Sequence, residues 1–411
     1  MYFLENTFRD YPWGSRSAIS HLLGREASGA PEAEMWIGAH PTAPSLAVLP
    51  EGRMALDELI AADPEALLGK ETNAVYGQLP FLAKLLAADK PLSVQVHPNP
   101  AQAAAGLAAE DAAGVPRDAF HRNYRDSQHK PEMLFALTDF VALSGFRPVQ
   151  ESAGLFTTLA TALTGAASRT AEHVASLLLT QGLRAAFGYL LDAGTPVSDL
   201  AAAAPALVAA DPVLAAEPAL AELISLASHY PSDPGVVVSL LLNLVRLAPG
   251  EAIYLDAGNV HAYLRGLGVE VMANSDNVLR GGLTSKHIDV PELMGTVDFN
   301  PIGVPRLRSR TTDLGQETYV PPFAEFALQR IEIPAVVDDT SMADADVPLL
   351  QNGPVLVICV QGELLLDSPY SDARVARGES VFIGADEAPV MARRSGSAGA
   401  LAFVVTTGSS G

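Results

Sequence analysis

The sequence predicts a mainly β fold carrying an α-helical insertion, and three observations lead there. Short apolar runs broken by Pro and Gly fill residues 1–150 and return after Pro249-Gly250, the texture of strands and tight turns. Between about 151 and 245 the apolar residues recur instead at three- and four-residue spacing, the period of amphipathic helices. Finally, "GEAIYLDA" from Gly250 and "GESVFIGA" from Gly378 share Gly-Glu, alternating apolar residues and a closing alanine, as two β domains of related design would. A chance match over so short a stretch is the competing explanation.

At 411 residues the chain exceeds the roughly 100–200 of one domain. The expected division is a β domain built from 1–150 and 246–315, a helical insertion at 151–245 and a C-terminal β domain at 316–411. A net charge of −21, a pI near 4.7 and the absence of any basic run argue against nucleic acid or an anionic membrane as partner. The chain is expected to act as a monomer. One cysteine, Cys359, rules out an intrachain disulfide, and its setting in "VLVICVQG" suits an inert core thiol. The start "MYFLENTFRDYPWG" has neither a basic n-region nor an apolar h-region, and no apolar run nears the roughly 18–20 residues that span a bilayer. A cytoplasmic location is the expectation.

Taken in order, "SLAVL" reads as a strand and "MLFALTDFVALSGF" as a buried strand region. The helical block holds "LFTTLATALTGAA", "TAEHVASLLLTQGLRAAFGYLL" and "VVVSLLLNLVRL", with breaks expected at "DAGTP", "DPVLAAEP" and "YPSDPG". Its His173 and His229 read as surface or structural residues. In "GEAIYLDAGNVHAYL" an apolar strand meets a Gly-Asn turn and returns through His261, the expected hairpin of a small barrel. No histidine follows His287, so the C-terminal β domain is expected to lack a histidine site.

Chemistry concentrates in three segments. In "SVQVHP", Ser93, Gln95 and His97 share one strand face while Val94 and Val96 take the other. Alone, such a pair is more simply a hydrogen-bonded core Gln/His. "HKPEM" sets His129, Lys130 and Glu132 at the mouth of the "MLFALTDFVALSGF" run, where a surface ion pair is the plain alternative. "GVEVMANSDNVLRGGLTSKHID" carries Glu270, Arg280, Lys286 and His287 among small and amide residues. Together Gln95, His97, Glu132 and His261 offer an amide oxygen, two imidazoles and a carboxylate. That set suits Zn²⁺, one per chain, with Mn²⁺, Co²⁺ or Fe²⁺ as competitors. The only lysines are Lys70, Lys84, Lys90, Lys130 and Lys286, and Lys84, Lys130 and Lys286 fall in or beside these segments. With Arg280 they offer a local cationic pocket for a phosphate in an acidic protein.

These residues resemble the type I phosphomannose isomerases of the cupin superfamily. The resemblance rests on "YPWGS", "EMWIGAHPTAPS", "PFLAKLLAADKPLSVQVHP", "HKPEM", "FVALSGFRP" and "GNVHAYLRGLGVEVMANSDNVLRGGLTSKHID", in family order over both β-rich parts of the first 300 residues. It implies two related cupin-type jelly-roll barrels plus the helical domain. It also implies interconversion of mannose 6-phosphate and fructose 6-phosphate through a cis-enediolate. Gln95, His97, Glu132 and His261 match the zinc ligands, and Arg280 matches an active-site arginine. Ser93, Lys84, Lys130 and Lys286 match polar residues of the pocket, and Glu270 matches a proton-transfer group. Ser285 stands where the family often has proline. Glu270 and Lys130 are both candidates for the base, and Glu270 is favoured because a lysine first needs its pKa depressed. The competing readings are a cupin oxygenase using Fe²⁺, which leaves the cationic pocket without a use, and a non-catalytic sugar-binding cupin.

Overall fold

A computed structural model describes residues 1–192, 194–335 and 346–408. The remaining parts of the 316–411 expectation lie outside the described residues.

An eleven-stranded sheet contains, in spatial order, Ala252–Leu255, Glu132–Ala136, His261–Ala273, Phe81–Ala88 and Glu34–Gly38. Every residue of Glu34–Gly38, Phe81–Ala88 and Glu132–Ala136 is buried, because both faces are covered. Alternation then sorts the side chains. Met35, Ile37, Leu85, Val269, Val271 and Phe135 pack against Leu356, Ile358, Phe382 and Phe403 of a second sheet. Glu34, Trp36, Lys84, Glu270 and Glu132, one residue out of phase, line a cleft on the opposite face. The pairings Lys84↔Glu270 and Trp36↔Lys84 set these polar side chains abreast.

The strand His261–Ala273 organises the cleft by bending. Its first residues pair with Phe140–Phe146 and, at His261, with Gln95. From Gly266 onward it pairs with Phe81–Ala88, and from Gly268 also with Glu132–Ala136. The change of partners coincides with a register shift between Tyr263 and Arg265 and with Gly266 at φ +127°. A Cβ at Gly266 would lie 2.6 Å from Phe140 Cδ2, so the bend requires glycine there.

Two expectations need correction. Ala252–Leu255 and His261–Ala273 do not form a hairpin, because Glu132–Ala136 lies between them and pairs with both. Stepping over one strand needs only roughly 10 Å, which the intervening segment 256–260 reaches easily. The run "VVVSLLLNLVRL" is helical only at its start. After Pro234–Val238 and a 3₁₀ turn at Ser239–Leu241 it becomes the strand Leu242–Leu247, paired with Phe140–Phe146. An unbroken apolar run does not distinguish the two periods, and the neighbouring strand's unpaired groups decided it. "MLFALTDFVALSGF" is likewise two strands, Glu132–Ala136 and Phe140–Phe146.

The helices Val149–Ala162, Gly165–Gln181, Leu183–Leu191, Val197–Ala210 and Pro218–His229 share one apolar core with Val94, Val96 and Leu279 from the cleft region. The expected breaks at "DPVLAAEP" and "YPSDPG" act by starting new helices. Asp211, Glu217 and Asp233 each accept a backbone N–H two residues on, with proline in the first turn. His173 and His229 are exposed, as read from sequence.

Among the described residues the second sheet has nine strands, including Ala327–Ile333, Ala400–Thr406, Val355–Gln361 and Ser380–Ile383. The chain's first strand, Tyr2–Glu5, adds to its Ser380–Ile383 edge, followed by Leu46–Leu49 and Gly52–Ala55. A four-stranded sheet closes its other face over a core containing Val357, Cys359, Val381 and Val404. Gly250 and Gly378, which open the two similar sequence segments, have φ +93° and +91° and precede the strands Ala252–Leu255 and Ser380–Ile383.

Candidate metal centre and substrate cleft

A cleft of about 660 Å³ opens on the polar face of the bent sheet. Ser93, Gln95, Lys84, Lys130, Glu132, Glu270, Arg280 and Lys286 all line it. His97 and His261 lie against Glu132 at its floor, each 1% exposed. These ten side chains therefore gather at one place, whereas His129 and His287 of the same segments do not line the cleft, and His129 pairs with Glu325 instead.

Glu132 stands at the start of its strand, directly opposite Met272 and Leu255, and bridges the two imidazoles. His97 Nε2 lies 3.3 Å from Oε1, and His261 Nε2 lies 3.3 Å from Oε2. The other ring nitrogens face backbone carbonyls: His97 Nδ1 donates to Asn277 O at 2.7 Å and His261 Nδ1 to Asn259 O at 3.0 Å. A carbonyl only accepts, so each Nδ1 carries the proton and each Nε2 presents a bare lone pair. Burial pushes the His97 imidazole down to about 4, which keeps it neutral near pH 7. Burial opposes ionisation of Glu132, but the Lys130 ammonium beside it holds its carboxyl well below the usual range. Both Nε2 atoms and Glu132 Oε2 are buried without a hydrogen-bond partner. Lone pairs converging without a proton between them repel unless a cation sits among them. The donor set and its geometry therefore fit a divalent metal ion, with all three ligating atoms within 4.8 Å of one another. Gln95 pairs directly with His261 on one side and Arg280 on the other, which brings its amide to the same corner.

Beside this corner runs a row of buried charge. Lys84 Nζ donates to Glu270 Oε2 at 2.9 Å and lies 3.8 Å from Glu34 Oε1, with the Trp36 ring 5.2 Å away. Burial alone would lower the Lys84 ammonium, but Glu270, Glu34 and Glu132 raise it, so it stays charged. Burial raises the Glu270 carboxyl, Lys84 opposes, and Glu132 and Glu34 add to the rise. Lys130 Nζ is 3.2 Å from Glu132 Oε1.

The far end of the cleft is cationic. Burial and then the Arg125 charge push the Arg280 guanidinium down, and burial, Arg280 and Arg125 do the same to Lys286. None of the three has a carboxylate partner among the described residues. Three mutually repelling cations form a site for a doubly charged anion. Arg280 is fixed there by pairing with Gln95, and the following Gly281 and Gly282 exchange hydrogen bonds with Val94 at 2.8 and 3.0 Å.

Sequence reasoning missed Glu34, Trp36, Arg125, Tyr263 and Asp276, which also line the cleft. The two-residue spacing that exposed Gln95 and His97 is present in "EMW" and would have found Glu34 and Trp36. Tyr263 lies two residues beyond His261 on the same strand and was open to the same rule. Arg125 comes from "HRNYRDSQHK", an irregular segment with no period to read.

Residues 1–149 match the family described as phosphomannose isomerase type I, catalytic domain. Over 396 residues the chain is 39% identical to the mannose-6-phosphate isomerase of Salmonella typhimurium, covering 96% of this chain and 97% of that protein. It is 32% identical to the Homo sapiens mannose-6-phosphate isomerase, covering 92% of each. Among solved structures, a mannose 6-phosphate isomerase in a zinc-bound holo form matches with a TM-score of 0.86 and 36% identity over 98% of both chains. A point mutant of the Salmonella typhimurium phosphomannose isomerase matches with a TM-score of 0.88 and 35% identity over 100% of both. The chain belongs to the type I phosphomannose isomerase family.

Proposed function

We propose that this chain is a zinc-dependent aldose–ketose isomerase that interconverts mannose 6-phosphate and fructose 6-phosphate. The observation that carries the reading is the His97–Glu132–His261 triad of unpartnered, buried donor atoms, set between a buried carboxylate and a cationic cleft end. His97, Glu132 and His261, with Gln95 as neutral fourth ligand, would hold the zinc ion. When bound, the ion supplies Lewis acidity toward the sugar oxygens that gain negative charge.

The chain's own residues divide the remaining work. Arg125, Arg280 and Lys286 take the phosphate, which orients the open-chain sugar toward Glu270. Glu270 removes the C2 proton of the aldose, leaving a cis-enediolate, and returns a proton to C1 while the O2 proton passes to O1, which gives the ketose. Its raised pKa brings its basicity closer to working pH, and the Lys84 ion pair keeps it ionised and aimed. Lys84 is thus committed to Glu270 and Glu34, and Arg125 supplies the phosphate charge in its place. Lys130, next to Glu132, adds positive charge where the oxyanion develops, and Ser93 lines the approach. The oxygenase reading gives the cationic trio no use.

The resemblance further supports two related cupin-type barrels, one from 1–150 and 246–315 and one from 316–411 without a metal site. The strand Tyr2–Glu5 and the strands Leu46–Leu49 and Gly52–Ala55 are lent to the second. Among the described residues no helix is long and apolar enough to cross a membrane. We place the enzyme in the cytoplasm as a monomer. A coupled assay following fructose 6-phosphate formation from mannose 6-phosphate tests the activity, and oxygen uptake or bound iron in place of isomerisation would reject it.

A further inference from the structure

The helical region reaches the phosphate end of the cleft through one side chain. Asp233 precedes the short helix Pro234–Val238, and its Oδ1 accepts from the Gly235 N–H at 2.7 Å, an ordinary cap. The same oxygen accepts from the Leu283 N–H at 2.9 Å. Leu283 is buried with φ +52°, and it follows Gly282 at φ +127°. A side chain with a Cβ stays in the left-handed region only where its surroundings over-determine it. Here they do. Val94 holds the loop from one side through Gly281 and Gly282. On the other side the Gly235 and Gly282 backbones touch: a Cβ at Gly235 would lie 2.5 Å from Leu283 N, and one at Gly282 2.6 Å from Gly235 Cα. Immediately beyond this interlock the chain delivers Thr284, Ser285 and Lys286 to the cleft. Tyr230, from the same helical segment, lines the cleft too and donates to Pro91 O at 2.9 Å.

We infer that Asp233 is a positioning residue for the phosphate-binding loop, through which the helical insertion sets the enzyme's affinity for its phosphorylated substrate. The carboxylate pins Leu283 in its left-handed conformation, and that conformation turns Lys286 toward Arg280. The inference rests on the reading that Arg280 and Lys286 meet the phosphate.

Steady-state kinetics of the zinc-loaded full chain, with inorganic phosphate as competitive inhibitor, tests it. Asp233→Ala should raise both KM for mannose 6-phosphate and the phosphate inhibition constant about tenfold, the scale of one lost hydrogen bond to a charged acceptor. Its kcat should stay within about threefold, because the reacting end is untouched. Bound zinc should be unchanged. Asp233→Asn retains an Oδ1 acceptor and should bring both constants back toward wild type. A role confined to stability would lower Tm and the active fraction while leaving KM and the inhibition constant alone. Wild-type values of both in Asp233→Ala therefore overturn the inference. If that variant does not fold, Asp233→Ser, whose shorter side chain can still cap the Pro234–Val238 helix, carries the test with the same two outcomes. Lys286→Ala separates the layers: unchanged constants there reject the phosphate reading itself. Raised constants there, with unchanged ones in Asp233→Ala, reject the role of Asp233 alone.

Discussion

Lys84 shows how much one buried residue decides. Its ammonium is the near countercharge for Glu270 and Glu34, and all three side chains are less than a tenth exposed. Lys84→Met would leave two carboxylates facing each other in a dry environment, with an expected loss of about 3–5 kcal/mol in urea denaturation. Glu270→Gln keeps the shape and removes the proposed base. It should lower kcat about a hundred- to ten-thousand-fold while bound zinc stays at one per chain, and metal analysis alongside the assay checks both. Cys359 provides a test away from the site. Burial pushes its thiol up to about 11 from an ordinary value near 9. Between those pH values the unfolded chain releases a proton that the native chain keeps, so native stability falls as pH rises through the window. Denaturation at pH 8 and pH 10 should show that fall, to which buried tyrosines with raised pKa values such as Tyr124 and Tyr263 also contribute, and Cys359→Ala should lessen it.

At the scale of elements, the bent strand His261–Ala273 joins the metal corner to the charged row. Its first residue is a candidate ligand, and Glu270 lies nine positions on, past the Gly266 bend. Gly266→Ala forces a Cβ against Phe140 and the Asp139 carbonyl and should cost about 1–3 kcal/mol. It should also weaken zinc retention against a chelator, because the bend fixes His261 relative to Glu132. Gly396→Ala is the control, since its φ is also positive at +87° but its Cβ would meet nothing within 4 Å. Retained zinc affinity in Gly266→Ala would show that the bend does not position His261.

Legibility in the sequence followed the same physical divisions. Two-residue periodicity correctly set Gln95 and His97 on one face, because both Val94 and Val96 had a core to enter. Periodicity did not reveal that Glu132–Ala136 slips between Ala252–Leu255 and His261–Ala273, since strand order is settled by pairing across the whole sheet. Nor did it separate Leu242–Leu247 from the helix before it, where an unbroken apolar run fits either period. Arg125 had no local signal at all. Its place in the cleft depends on a loop held by Asn277, whose side chain accepts from the Arg125 and Asp126 N–H groups at 2.7 and 3.3 Å.

For the whole molecule, the cleft lies where three bodies of structure meet: the bent sheet, the C-terminal sheet bracing its far face, and the helical insertion touching the 280–286 loop. The Tyr2–Glu5 strand ties the start of the chain to Ser380–Ile383, so the two β regions share a sheet edge. Deleting residues 1–5 should therefore destabilise the C-terminal core although it removes no cleft residue. Thermal unfolding would show a lowered Tm, and an unchanged Tm would mean that the shared edge carries little. The buried His97, Glu132 and His261 donors are expected to hold a metal ion that isomerisation requires. The direct measurement is mannose-6-phosphate isomerase activity before chelation, after removal of metal, and after zinc is restored. Activity that disappears with the metal and returns with zinc is the predicted result, and full activity in metal-free protein would contradict it.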